Sequence, residues 1–272
     1  MQDILSRPEV QGALPFVVAL VVGLLLKPTG AVWSGAGMIA GFIMGVLLVN
    51  GLQFEPMTAA RKTIVCGVAA AVIGAFFSSG KKAGKLVVVL LIAVSIAAYA
   101  WVFWTLLKRV EGGKMIMLVG GGVYTCWLVA ALHGLRKEPL QAGAACVALA
   151  AGSGIAVILG TSALLGQLAL TVAAASGAIL LLALIWSDLR IEPVMTYPVA
   201  LISGLLGTGG MVLAKLPWIA LLILAFVPLA ARIPLPDGYP RILKVILWTG
   251  AAVVVAALAI LSVWLLMEES GY

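Results

Sequence analysis

The chain has 272 residues, 64% of them apolar and only 10% charged, with a mean hydropathy of +1.21. A soluble domain carries roughly 45–50% apolar and about 25% charged residues, and it has no interior large enough to hide the difference. Seventeen Lys and Arg against ten Asp and Glu leave a formal charge of +7, yet the bases fall in short loops between apolar runs with no basic stripe interleaved with aromatics. That pattern argues against nucleic acid as a partner and places the cations at lipid headgroups.

The fold class that follows is all-α, a polytopic transmembrane helical bundle whose backbone polar groups are satisfied inside each helix. The amino-terminal stretch holds Asp3 and Glu9 where a secretory signal would be basic, and Lys27-Pro28 follows the first apolar run in place of a small-residue cleavage motif. This predicts an uncleaved first helix over about residues 10 to 26. Bounding the later runs by charges, prolines and glycines gives spans at about 32 to 52, 63 to 79, 86 to 107, 115 to 134, 141 to 160, 164 to 186, 196 to 214, 216 to 231 and 243 to 266. The first, third and ninth are short for a hydrocarbon core of about 30 Å, so the expectation is eight to ten spans. All belong to one integral membrane domain over residues 1–272. No charge interrupts the stretch from Gln141 to Trp186; it is too long for one crossing, and Thr161, Ser162, Gly166 and Gln167 mark its turn.

Tryptophans support these limits. Trp101 and Trp104 precede Lys108 and Arg109, Trp186 precedes Asp188, Trp218 follows Lys215, and Trp264 precedes Glu268 and Glu269. Such positions form the belt where apolar helices meet headgroups. With ten spans, Lys27, Lys81, Lys82, Lys85, Arg136, Lys137, Arg190, Arg232, Arg241 and Lys244 share one side, against Arg7, Arg61, Lys62, Lys108, Arg109, Lys114 and Lys215 on the other. An excess of Lys and Arg in cytoplasmic loops then puts both chain ends outside, in a membrane of the bacterial inner type.

Helix association in lipid depends on small residues that let backbones approach. The second span carries Gly37, Gly41 and Gly45, a doubled GxxxG. The sixth carries Ala144, Ala148, Gly152, Ala156 and Gly160 along one helical stripe, and the seventh adds Ala169, Ala173 and Gly177. These ridges fit packing within the chain better than a seam for a partner. Two clusters differ because their glycines are closely spaced: Gly120-Gly121-Gly122 in the fifth span and Gly204 to Gly210 in the eighth. Glycine weakens a helix by about 1 kcal/mol relative to Ala. A helix broken there would expose backbone to a solute, with Gly120, Gly121, Gly122, Thr125, Gly207, Thr208, Gly209 and Gly210 as the site; the plainer reading is crowded helices without a ligand. The clusters do not occupy matching places in two halves, and no internal repeat is evident.

The chemistry census is short. His133 is the one histidine, too few for bis-histidine haem, and it reads as a helix-end residue at the headgroup level. Cys66, Cys126 and Cys146 lie in apolar runs without CxxC spacing and read as buried free thiols. No acid or base falls at a span centre, which argues against proton coupling. Asp188, Glu192 and Glu55 are expected at the surface beside Arg190 or Arg61. The run from Gly80 to Leu86 departs from a phosphate loop in glycine spacing and in having Leu where Ser or Thr is needed, and Ser153 has no base placed to activate it. Neither a catalytic residue nor a metal or cofactor ligand emerges, so the chain is not expected to be an enzyme. The loop from Arg232 to Arg241, with Asp237 and Tyr239 between three prolines, is either a docking surface or an ordered turn that positions the last helix.

Two readings survive. One is a noncatalytic accessory or scaffold subunit that packs against membrane lipids and other integral membrane proteins or itself. The other is a small facilitative carrier with its site at the glycine clusters; it resembles the drug/metabolite-type carriers in span number and size alone.

Overall fold

A computed structural model describes residues 8–29, 33–49, 51, 55–78, 85–108, 113–160, 162–191, 193–236 and 238–269. Among them there is no strand. The helices are α1 (Pro8–Leu26), α2 (Gly37–Val49), α3 (Ala59–Ser78), α4 (Lys85–Leu107), α5 (Gly113–Gly134) and α6 (Pro139–Leu159), then α7 (Ala163–Ile185), α8 (Pro193–Leu213), α9 (Trp218–Leu224), α10 (Val227–Ala230) and α11 (Arg241–Glu269). Seven of these, α3 to α8 and α11, are long and apolar enough to cross a membrane; α1, α2 and the α9–α10 segment are shorter apolar pieces. The chain is a multi-pass helical membrane protein.

The helix limits follow local chemistry. Pro139 and Pro193 open α6 and α8, where a missing N–H costs nothing and φ is already helical. Between α6 and α7, Gly160 N–H donates to Ala156 O at 2.9 Å and Ser162 N–H to Val157 O at 3.1 Å. The turn is therefore tighter than the sequence suggested. Gly166 and Gln167 belong to α7, because Gly166 lies against Ile158 and the Gly154 carbonyl. The second span is also shorter than expected: residues Trp33–Ala36 form a 3-10 turn and α2 has 13 residues, about 20 Å of rise. The third span has 20 residues, and the last begins at Arg241 and has 29.

The core is built around α8, in which every residue from Pro193 to Gly210 is buried. Helices α3, α5 and α6 pack on it, α6 pairs with α7, the α1–α2 pair lies on α7, and α11 covers the outside of α6. Close approach explains the glycine ridge of α2. A Cβ on Gly41 would stand 2.5 Å from the Pro15 carbonyl oxygen and 2.8 Å from Ala175 Cβ, one on Gly37 would stand 2.5 Å from Ala19 O, and Gly45 abuts Thr171. The α6 ridge meets α11, with Gly152 placed so that a Cβ would be 2.7 Å from Ala256 Cβ. Ala144, Ala148 and Ala156 are at most 1% exposed, and Gly160 faces Leu216 of the turn after α8. Both ridges thus serve contacts within the chain. A third glycine contact was not foreseen: Gly67 and Gly74 of α3 lie against Ile202 and Pro193 of α8.

Side chains tie the ends of the bundle. At one end Lys27 Nζ sits 3.9 Å from the Trp186 ring centre, Val194 N–H donates to Ser78 Oγ at 3.1 Å, and Arg241 donates to Ala183 O at 3.0 Å. At the other, Lys62 donates to Trp101 O at 3.1 Å, Lys108 covers Trp104 at 4.7 Å, and Lys215 N–H donates to Gly160 O at 3.0 Å. Trp218 and Trp264 are about half exposed. These are the belt positions read from the sequence.

A branched side chain at Gly41 must displace backbone. Gly41→Val is expected to destabilise the protein by about 1–3 kcal/mol. Gly250 has open space beyond its Cα, so Gly250→Ala is expected to be neutral or to stabilise by at most about 1 kcal/mol. Thermal unfolding of both variants in one detergent separates the two outcomes.

Candidate functional site

The two glycine clusters face each other across the α5–α8 crossing. Gly121 lies against Thr208 and, at 2.9 Å from where its Cβ would be, the Tyr99 hydroxyl. Gly204 meets Thr125, whose Oγ1 would stand 2.7 Å from an added Cβ; Gly207 meets Leu221, and Gly210 meets Val157. Gly122 and Gly209 have ordinary contacts with the Tyr99 ring and Leu165, and Gly120 has open space. Both helices run uninterrupted through their glycines, so the broken backbone considered from the sequence is not formed. An unwound turn at membrane depth leaves N–H and C=O groups that cost several kcal/mol each, more than the helix propensity that glycine gives up.

The hydroxyls of the crossing are turned onto helix carbonyls. Thr125 donates to Gly121 O at 2.9 Å and Thr208 to Gly204 O at 2.9 Å, and both residues are fully buried. Tyr99, reaching across from α4, donates to Leu118 O at 2.6 Å. Beside this seal stand two hydroxyls without a hydrogen-bond partner, Tyr124 of α5 and Ser153 of α6, close enough to influence one another. Both are buried.

A groove of about 720 Å³ separates α5 from α9, open along one side. Gly120, Gly121 and Tyr124 line it from α5, Met211 from the end of α8, and Trp218, Leu222 and Phe226 from the α9 side. Trp127 closes its deep end by donating from Nε1 to Ala225 O at 2.9 Å. Of the proposed solute residues, the structure brings Gly121, Thr125 and Thr208 together at the α5–α8 crossing, sets Gly122 against Tyr99, Gly207 against Leu221, Gly209 against Leu165 and Gly210 against Val157, and leaves Gly120 and one face of Gly121 on the groove wall. Sequence reasoning missed Tyr99, Tyr124 and Trp127. Trp127 had a usable signal, since it is a tryptophan in the middle of a span and away from any charged loop.

Elsewhere the polar residues serve the scaffold. His133 is near the end of α5, yet it points inward, 3% exposed, with both ring nitrogens lacking a partner; the rotation of α5 buries it where its position in the sequence suggested a headgroup site. The loop arginines are directed at helix ends: Arg232 donates to Ala131 O at 2.6 Å and Arg241 to Ala183 O. Trp248 fastens the same loop through Ile233 O at 2.8 Å. Tyr239 is exposed, while Asp237 lies outside the described residues, as do Glu192 and most of the 80-to-86 loop. Arg61 donates to Pro56 O at 2.7 Å. Cys66 and Cys146 are buried, Cys126 is partly so, and all three are free. Among the described residues no three His, Cys, Asp or Glu gather as a metal site would require.

If the crossing is a packing device, its hydroxyls matter less than its missing side chains. Thr125→Val and Thr208→Val are expected to change stability by less than about 1 kcal/mol, while Gly121→Val and Gly204→Val lower it by about 1–3 kcal/mol. Denaturation in mixed micelles measures all four. The chain matches no protein-family model and no curated protein sequence.

Proposed function

We propose that this chain is a noncatalytic integral membrane protein, an accessory or scaffold subunit that holds lipid or another membrane protein against its perimeter. The observation that carries the reading is the closed α5–α8 crossing. A carrier needs a polar site reachable from either side of the bilayer, and the most glycine-rich part of this bundle is filled by its own side chains, with Thr125 and Thr208 bonded to their own helices. The groove between α5 and α9 is apolar. Apolar residues also cover much of α4 and α11, among them Ile96, Trp104, Val254 and Leu258, each more than half exposed. In the same reading the three short segments complete ten passes, and the side bearing Lys27, Arg136, Arg190, Arg232 and Arg241 faces the cytoplasm of a bacterial cell.

Mild-detergent extraction of the tagged chain from its native membrane, followed by size separation and mass spectrometry, tests the proposal. A stoichiometric integral membrane partner, or a defined homo-oligomer, is the expected result. A monomer that moves a solute across reconstituted vesicles overturns it and returns the carrier reading.

A further inference from the structure

We infer that the groove between α5 and α9 is a binding site for one diacyl phospholipid, with both acyl chains in the groove and the phosphodiester at Lys215. This goes beyond the scaffold reading and does not depend on it.

The dimensions admit a lipid. Along α5 the groove extends from Ile116 to Trp127, which at 1.5 Å per residue is about 16 Å. That is close to one leaflet of a hydrocarbon core of about 30 Å. Spread over this length, the volume of about 720 Å³ gives a mean cross-section of at least about 45 Å². Extended hydrocarbon chains, whose carbons sit about 4 Å from their neighbours, fill roughly 15–20 Å² each, so two lie side by side. A void of this size at membrane depth forfeits the dispersion contacts of its whole lining, which two acyl chains restore.

The ends of the groove match a lipid as well. α5 and α9 run in the same direction from the same end of the bundle, the end where Lys215 N–H meets Gly160 O. Lys215 is exposed and lies in the turn joining Met211 to Trp218, which both line the groove. A phosphodiester there gains a charge-assisted hydrogen bond, and Trp218, 56% exposed, sits at the depth of the glycerol region. The opposite end is shut by the Trp127–Ala225 bond, so the chains stop within their own leaflet. Hydrocarbon tails are no more attracted to Leu than to other lipid. Retention over the surrounding lipid therefore comes from the shape of the groove and from the lysine.

The test uses the purified full-length chain, stripped of lipid in detergent, titrated with phosphatidylglycerol or with phosphatidylcholine of the same acyl chains, and read by native mass spectrometry. The expected result is one adduct that saturates at one lipid per chain, with phosphatidylglycerol favoured about fivefold, the scale of one lysine's attraction for an anionic headgroup. Lys215→Gln is expected to remove that preference. Gly120→Leu projects a side chain into the open space above Gly120 and is expected to lower retention of both lipids at least about fivefold at an unchanged unfolding temperature. Should Gly120→Leu fail to fold, Val123→Trp fills the same groove from a residue 65% exposed. A graded ladder of adducts with no step at one per chain, or equal retention by wild type and a folded groove-filling variant, overturns the site. So does a groove-filling variant that sheds a copurifying protein while keeping its lipid. Because the readout needs only the isolated chain, failure to find a partner leaves it standing.

Discussion

Backbone hydrogen bonding without water is the constraint on which this structure depends. In hydrocarbon each peptide group must find its partner inside its own helix, and helices gain nothing from hiding apolar surface, since lipid is as apolar as they are. Cohesion must come from close contact, and close contact requires that side chains be absent where backbones meet. The buried helix α8 shows the result. Its Gly204, Gly207 and Gly210 admit Thr125, Leu221 and Val157, and the glycines of its neighbours, Gly67, Gly74 and Gly121, admit Ile202, Pro193 and Thr208 in return. Glycine here is a surface for approach, and its low helix propensity is outweighed by the cost of unwinding.

Much of this was legible in the sequence because charges and prolines cannot sit in mid-membrane without consequence. The limits read for the fourth, fifth, sixth and eighth spans fall within three residues of α4, α5, α6 and α8. The ridges at Gly37 and Ala148 were legible because steps of four residues place small groups on one stripe. Which neighbour each stripe meets was not. In a soluble helix the polar face fixes the rotation, but here lipid and core are both apolar, so periodicity does not tell inside from outside. His133 illustrates the loss, since nothing in its sequence position tells that α5 turns it inward. The α3 contact shows another, for Gly67 and Gly74 are two turns apart and carry no GxxxG signature.

The same economy governs the polar residues. A hydroxyl in hydrocarbon satisfies itself most readily on the carbonyl one turn back, as Thr63, Ser95, Thr125 and Thr208 do. Such a bond occupies the proton and leaves the oxygen only as an acceptor. The arginines follow a parallel rule. Arg232 and Arg241 donate to carbonyls near the carboxyl ends of α5 and α7, the ends that carry partial negative charge and unsatisfied acceptors. Two residues of the loop read as a docking surface or an ordered turn, Arg232 and Arg241, therefore hold helix ends together, while Tyr239, the third described one, is exposed.

The lateral groove originates in the least regular segment of the chain. Pro228 has no N–H to give the Leu224 carbonyl, so α9 stops there and α10 starts afresh after a turn at Ala225 and Phe226. Beyond the break, Leu229 N–H donates at 3.0 Å to Phe226 O, an i to i−3 bond, and not to Ala225 O, its partner in a continuous α-helix. The Ala225 carbonyl is thereby available to Trp127 Nε1. This one bond pins the break against α5, while Gly120 higher on α5 offers no side chain to fill the gap toward Leu222. A proline that ends a helix, a glycine with no side chain to fill the gap and a mid-span tryptophan bonded across it together hold two parallel helices apart.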